Sequence, residues 1–382
     1  MVYREIGRTG VIVSPLGLGC MRLPLVDGKY DAIDERRAIE MIRYAVDHGI
    51  NYFDTAWPYH GSGHIAGGKS EPLLGKALRD GYREKVNIAT KLPSWLIKDR
   101  DDMDRFLNTQ LERLETDSID FYLLHALNTD NWNNLIDHGI YDFMTDAKAS
   151  GKIKYMGFSF HDELELFMKI IDAYDWDFTQ IQYNYMDQDF QAGLEGLRYA
   201  AGKGLGVIAM EPLRGGNLAT LPEEARSEIH KRHSGWGCVD LAFNWLWNQE
   251  EVSVVLSGMS DKEQLTENIK IAEKASRCSF NENEDALLDS VMTILKNKPQ
   301  IGCTDCKYCM PCPVGVEIPR NFSLYNSHLI YSNPNAQFFY NVHLSEKERA
   351  DNCIECGRCE GLCPQHLKIR DLLKQVHRRM AL

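Results

Sequence analysis

The residues best suited to chemistry are cysteines. Eight of the eleven lie between Cys303 and Cys363, in two runs: Cys303-x2-Cys306-x2-Cys309-x2-Cys312-Pro313 and Cys353-x2-Cys356-x2-Cys359-x3-Cys363-Pro364. Three thiolates at two-residue gaps can wrap one face of a [4Fe–4S] cubane, and a following Cys-Pro pair supplies a more distant ligand. C-x2-C pairs also build four-cysteine zinc sites. Two tandem runs that each end in Cys-Pro favour iron–sulfur. Eight cysteines allow two clusters, and in such pairs the fourth cysteine of each run serves the other cluster; that exchange is expected here. The first run is one residue shorter than the second in its last gap.

Four more candidates need a scaffold to bring them together: Asp54, Tyr59, Lys91 and His125. The scaffold is legible in residues 1–298. A short hairpin, Tyr3–Ile6 and Val11–Val13 around Arg8-Thr9-Gly10, is followed by eight apolar strand candidates: Pro15–Gly19, Asn51–Asp54, Val86–Thr90, Ser118–His125, Ile153–Ser159, Phe178–Tyr183, Gly206–Glu211 and Val252–Ser257. Helical patterns alternate with them, among them Asp34–His48, Ser70–Asp80, Asp101–Glu115, Asp162–Ala173 and Asp261–Ala272. Several open on an Asp or Ser in a capping position. Apolar strands alternating with helices imply a parallel sheet buried on both faces, and eight units fit a closed (β/α)8 TIM barrel. The competing doubly wound open sheet wants a G-x-G-x-x-G turn, which Leu16-Gly17-Leu18-Gly19-Cys20-Met21 only begins to form. In a barrel, chemistry sits at the C-terminal strand ends. Read at the strand ends, Asp54 comes at the second, Lys91 just after the third and His125 at the fourth, and Tyr59 lies in the loop five residues beyond Asp54.

Phe53-Asp54-Thr55-Ala56 with Tyr59, Thr90-Lys91 and Tyr122-Leu123-Leu124-His125 resemble the motifs of the aldo-keto reductase family, in its order and near its spacing. The resemblance spans residues 1 to about 275; the loop His60–Lys69 is a few residues longer than usual. It implies an α/β barrel that binds NAD(P)H without a Rossmann fold and reduces an aldehyde or ketone. Tyr59 is then the general acid. Lys91 would stabilise its phenolate and lower a pKa ordinarily near 10, Asp54 would hold Lys91, and His125 would orient the carbonyl. Ser159 and Gln180 match positions holding the nicotinamide amide. Met210, in Met210-Glu211-Pro212-Leu213, stands where many members place an aromatic ring. Pro212, Leu213, Gly258, Gln264, Glu267 and Asn268 fall in the remaining nucleotide segments, with Glu267 and Asn268 at the adenine. Gly258 and Gln264 occupy positions that are often Lys and Arg in NADPH-preferring members. A 2′-phosphate wants a cation and only Lys262 is near in sequence, so NADH and NADPH both stay open.

The second cysteine run matches the bacterial ferredoxin pattern. The chain thus resembles the branch of the family carrying a C-terminal ferredoxin-type domain: a barrel at 1–298 and a small, mostly helical iron–sulfur domain at 299–382. Asn321–Leu329 and Leu344–Ala350 read as helices. Leu367–Met380 reads as an amphipathic one whose Arg378 and Arg379 would dock on the acidic barrel. Cys20, Cys238 and Cys278 are expected as buried small hydrophobes, and Trp236, Trp245 and Trp247 in the core. Trp57 is expected to wall the pocket, and His60 and His64 to touch substrate or be solvated.

Composition narrows the class. Of 382 residues, 44% are hydrophobic and 26% charged, which excludes disordered and collagen-like chains. No apolar run approaches the roughly 18 residues of a membrane span. The opening MVYREIGRTG has no apolar signal region, so a cytoplasmic location is expected. A net charge of −12 disfavours nucleic acid. From Pro299 on, bases slightly outnumber acids, so the acidity lies in the first 298 residues. The expected partners are a small carbonyl substrate and a redox protein. Three functions fit: a carbonyl reductase whose clusters are structural or sensing, an electron-transfer reductase whose clusters feed a substrate or bound flavin, and a non-catalytic redox sensor. A sensor has no need of Tyr59 and Lys91 together, which argues against the third; the first is the expected one. Clusters also suggest a low-oxygen setting.

Overall fold

The computed structural model describes residues 1–61, 67–275, 280–298, 300–303, 306–333 and 335–381; His64 and Cys278 lie outside the described residues. The opening strands β1 (Arg4–Glu5) and β2 (Ile12–Val13) pair antiparallel. Eight strands then form a closed parallel barrel: β3 (Leu16–Gly19), β4 (Tyr52–Asp54), β5 (Asn87–Leu92), β6 (Ile119–Leu127), β7 (Ile153–Phe160), β8 (Phe178–Gln182), β9 (Gly206–Met210) and β10 (Val252–Ser257). They follow chain order, and β10 closes on β3 through Val255, Leu256 and Ser257. Closure leaves no open edge, so the doubly wound alternative is excluded.

The intervening helices start where the sequence supplies a cap. Asp34 accepts the Arg37 N–H ahead of Glu35–Asp47, Asp99 that of Asp102 ahead of Arg100–Leu114, and Asp261 that of Gln264 ahead of Lys262–Lys274. Each satisfies an N–H with no intrahelical partner.

Side chains alternate across a strand, and that period sets the site. Tyr52, Ala89, Phe121, Leu123, Phe178, Ile208 and Val254 form one buried core cluster, joined by Ile6 and Val13 of the opening hairpin. Two residues beyond Tyr52 is Asp54; beyond Ala89, Lys91; beyond Leu123, His125; beyond Phe178, Gln180; beyond Ile208, Met210. The polar side chains are the next layer on the same strand faces. Packing between strands is tight: a Cβ on Gly157 would lie 2.5 Å from the Phe178 carbonyl oxygen.

The chain divides into two compact units, Met1–Pro212 with Ala242–Phe280, and Leu213–Leu241 with Asn281–Leu382. The first contains the barrel strands. The second unites both cysteine runs with the excursion between β9 and β10, whose helix Glu223–Arg232 packs with the helix Glu282–Lys296. His233 and Glu284 pair at 2.8 Å there. The second unit's own core joins Ile318, Phe322 and Tyr325 of the helix Ile318–Tyr331 to Ile369, Leu373, Val376 and Met380 of the closing helix Ile369–Met380. The closing helix therefore uses its apolar face within its own unit. Leu344–Ala350 is not a regular helix. Its centre is a single 3-10 turn, Glu346–Glu348, because Glu348 reaches back to the Ser345 N–H and hydroxyl and Arg349 is already extended.

Trp247 and Trp245 are buried, as are Cys20 and Cys238. Trp236 differs: it is half-buried and stacks on His233 at 4.2 Å.

Candidate active site and cluster sites

Lys91 and Asp54 are buried side by side, with Lys91 Nζ at 2.7 and 2.6 Å from the two Asp54 carboxylate oxygens. A third bond, 2.8 Å, goes to the Thr55 carbonyl oxygen. Tyr59 is next, its hydroxyl 3.5 Å from Lys91 Nζ. The His125 ring stands edge-on to Tyr59, centroids 6.1 Å apart, and 5.1 Å from Trp95. A bulge aims His125: β6 shifts register between Leu124 and Leu127, and Ala126 adopts φ 52°. Such an insertion re-aims a side chain beside a site. Ser159 Oγ fixes the bulge by accepting the Ala126 N–H at 2.8 Å.

Burial works against both charges of the central pair, pushing Asp54 up and Lys91 down, and their attraction opposes both shifts. Tyr59 is pushed well above its ordinary range, first by burial and then by Asp54, Tyr30, Cys20 and Glu211. Burial thus outweighs whatever Lys91 contributes to the phenolate in this site. An ammonium has three donors, and all three of Lys91's are engaged by Asp54 and Thr55 at short distance. The Tyr59 oxygen keeps only the longer contact.

Ser159, Gln180 and Met210 gather on β7, β8 and β9. Ser159 and Gln180 are register partners, and Gln180 Nε2 lies 3.5 Å from the Met210 sulfur. Gln180 Oε1 is buried without a hydrogen-bond partner, a cost that a bound donor would remove. A carboxamide N–H2, such as that of nicotinamide, supplies that donor, so these residues fit the cofactor. On the other flank, Asn268 is buried and donates to Ser257 Oγ at 3.3 Å, while Glu267 is exposed. Gln264 folds back on Ser260 and Asp261. Lys262 lies over the Tyr44 ring, 4.7 Å from its centroid. Pro212 and Leu213 follow β9 after Glu211. The side chain of Arg22, which sequence reasoning missed, runs past Gly258: a Cβ there would meet Arg22 Cδ at 3.1 Å. Its signal was the closure of β10 on β3, which brings positions over two hundred apart in the chain together.

His60 is not solvated. It is fully buried, stacks on Tyr30, and bridges the Tyr30 carbonyl oxygen (2.8 Å) and the Leu23 N–H (3.4 Å). Burial lowers its pKa. Trp57 packs on Phe106 and under Arg113.

In the second unit the cysteines line two hollows. One is bounded by Cys353, Cys356 and Cys359 with Cys312, the other by Cys303, Cys306 and Cys309 with Cys363; Cys309 also borders the first. Lys307 and Gly357, each following the second cysteine of its run, take positive φ (60° and 76°) and turn both loops alike. Burial and neighbouring thiols, Cys303 first and Cys359 among them, push Cys309 up to about 11. A thiolate there calls for positive charge, which iron supplies. Among the described residues, no three His, Cys, Asp or Glu side chains converge as a single-ion site. Two four-cysteine hollows fit polynuclear clusters.

A closed parallel barrel with a buried Asp–Lys pair, a tyrosine and a histidine at its C-terminal mouth defines a (β/α)8-barrel oxidoreductase. The family model for the aldo/keto reductase family matches residues 15–287, and that for a 4Fe-4S dicluster domain matches residues 302–367. The chain belongs to the aldo/keto reductase family and carries a C-terminal 4Fe-4S domain. It is 31% identical over 311 residues to the Uncharacterized oxidoreductase YrpG of Bacillus subtilis (strain 168), covering 72% of this chain and 91% of that protein. It is 26% identical over 319 residues to L-galactose dehydrogenase of Arabidopsis thaliana, covering 77% and 95%. The holo form of aldo-keto reductase AKR11C1 from Bacillus halodurans superposes with a TM-score of 0.60 at 25% identity, over 76% of this chain and 96% of that one. Among the described residues no helix is long and apolar enough to cross a membrane.

Proposed function

We propose that this protein reduces an aldehyde or ketone to the alcohol, with Tyr59 as general acid. The observation that carries the reading is the Asp54–Lys91–Tyr59 row facing His125, beside the orphaned oxygen of Gln180. Bound NAD(P)H supplies the hydride. Gln180 and Ser159 hold the carboxamide, and Met210 packs the ring face. His125 and Tyr59 bind the carbonyl oxygen and aim it. As negative charge gathers on that oxygen, Tyr59 gives up its proton and Lys91 stabilises the phenolate left behind. The raised Tyr59 pKa is no obstacle, because an alkoxide is far more basic than a phenolate. Arg22 beside Gly258 offers the cation that a 2′-phosphate needs, so NADPH is accepted as well as NADH.

In the same reading the two hollows each hold a [4Fe–4S] cluster, with Cys312 and Cys363 exchanged between the runs. Thiolate clusters suit a reducing cytosol. The shared border at Cys309 favours a second reading, in which paired clusters pass single electrons to or from a partner protein.

The test is anaerobic. Purified protein is analysed for iron and then given NADH or NADPH with a panel of aldehydes and ketones. The reading expects nucleotide oxidation matched one-to-one by alcohol, with the clusters unbleached. Bleaching by nucleotide without alcohol formation overturns it in favour of the second reading.

A further inference from the structure

Behind Lys91, on the outer face of β5, lies a buried polar group that the proposed chemistry does not use. At its centre is Glu71, fully buried in the first turn of the helix Ser70–Ala77. One carboxylate oxygen accepts the Thr90 hydroxyl at 2.7 Å and Gln110 Nε2 at 2.6 Å; the other lies 2.9 Å from Arg113 Nε. Gln110 also donates to the Lys91 carbonyl oxygen at 3.0 Å and accepts the Tyr122 hydroxyl at 2.7 Å. Arg113 reaches on to the Gly68 carbonyl oxygen, and the Gly68 N–H is bonded to Trp57 O at 2.7 Å. A Cβ on Gly68 would strike the Tyr59 carbonyl.

The neighbouring Ser70 works from the other side. Its hydroxyl meets Thr55 Oγ1 at 2.8 Å and donates to Cys20 O at 3.1 Å, and its N–H reaches Tyr59 O at 3.2 Å. Thr55 O is the third acceptor of Lys91 Nζ. One dipeptide, Ser70-Glu71, thus holds the Thr55 side chain, the Tyr59 carbonyl and, through Gln110, the Lys91 carbonyl. A buried carboxylate is costly unless paired and hydrogen-bonded. This one has three partners, two of which also grip the backbone of Lys91 or of the Tyr59 loop.

We infer that Glu71 is a positioning residue for the reduction: through Gln110 and Arg113 it fixes Lys91 against Tyr59. The inference rests on the proposed role of Tyr59. The groups facing Lys91 are Asp54, Tyr59, Cys20 and Glu71, and those facing Glu71 are Arg113, Lys91 and Tyr122. Glu71 favours the charged form of Lys91, against burial. Removing that charge leaves Arg113 unbalanced, so the first proton lost from the Lys91–Tyr59 pair leaves at lower pH.

The test is the pH profile of kcat for aldehyde reduction by the cluster-loaded enzyme, with nucleotide affinity measured separately by fluorescence titration. Glu71→Gln is expected to lower kcat about tenfold and move the alkaline limb down by about one pH unit, with nucleotide Kd within about twofold. Glu71→Asp restores the limb. Thr90→Val, close in shape, removes one donor to the Glu71 carboxylate and one acceptor of Gln110; it moves the limb the same way by less, and carries the test if Glu71→Gln does not fold. A folded variant with a slower rate but an unmoved limb overturns the inference, as does a loss explained by weaker nucleotide binding. If Tyr59→Phe keeps full activity, the reading of Tyr59 fails instead, which separates the two failures.

Discussion

Asp54→Asn replaces one charge of the most deeply buried ion pair in the barrel and keeps its shape. Lys91 Nζ has three short bonds, two of them to Asp54, and both side chains are at most 2% exposed. Breaking a buried pair from one side costs roughly 3–5 kcal/mol when the other charge stays. Lys91 has a way out, because it can release its proton. For a free lysine at pH 7 that costs about 4.6 kcal/mol, and burial already lowers the Lys91 pKa, so release is cheaper here. The destabilisation is therefore held to about 3 kcal/mol, and the variant folds with a neutral Lys91. A neutral amine stabilises a phenolate poorly, so reduction falls by roughly two orders of magnitude or more. The diagnostic is the direction of recovery: lowering the pH re-protonates Lys91, so the residual rate of the variant rises towards acid, relative to the native enzyme. Urea unfolding of the barrel transition and steady-state reduction from pH 5 to 9 measure both effects. A variant as stable as the native protein, with an unchanged profile, would refute the argument that Asp54 holds Lys91 charged.

Further outcomes follow from the same geometry. Gln180→Leu leaves nothing to meet the carboxamide and is expected to weaken NAD(P)H binding about tenfold or more by fluorescence titration, with a smaller effect on kcat. Cys363→Ser is expected to remove the cluster seated by Cys303, Cys306 and Cys309 and leave the other, so iron content and electron paramagnetic resonance should report one remaining cluster; loss of the cluster at Cys353, Cys356 and Cys359 would contradict the exchange. His60 has a folded pKa depressed by burial. Its contribution is therefore present above the unfolded pKa of about 6.5 and lost as pH falls from there towards the folded value. His60→Gln should flatten that part of the stability–pH curve. Gly157→Ala, which would force a methyl to 2.5 Å from the Phe178 carbonyl oxygen, is expected to cost about 1–3 kcal/mol by chemical denaturation.

Much of this was legible because strands and charged strand ends obey a period of two. An apolar run ending in Asp54, Lys91 or His125 says that a polar side chain occupies the next inward layer above the core, and the barrel then brings the three to one mouth. The cysteine spacing was legible for a similar reason: three ligands at fixed gaps leave few geometries. What escaped was carried by burial and by long-range closure. Glu71 reads as an ordinary acid in a helix's first turn, and only the packing of that helix on Arg100–Leu114 makes it a buried hub. Arg22 becomes a neighbour of Gly258 only because β10 pairs with β3. His60 looked like a loop residue, but left-handed backbone at φ 60° turns it inward. The raised Tyr59 pKa comes first from burial, which spacing cannot tell.

The central claim is that Tyr59 delivers the proton to a carbonyl reduced at the barrel mouth. Its most direct test is a single-turnover measurement on anaerobic, cluster-loaded enzyme, comparing native protein with Tyr59→Phe under saturating nucleotide and aldehyde. The account predicts that the variant binds nucleotide with unchanged affinity, keeps both clusters, and forms alcohol at least a hundredfold more slowly. Alcohol formation at the native rate by Tyr59→Phe would contradict it.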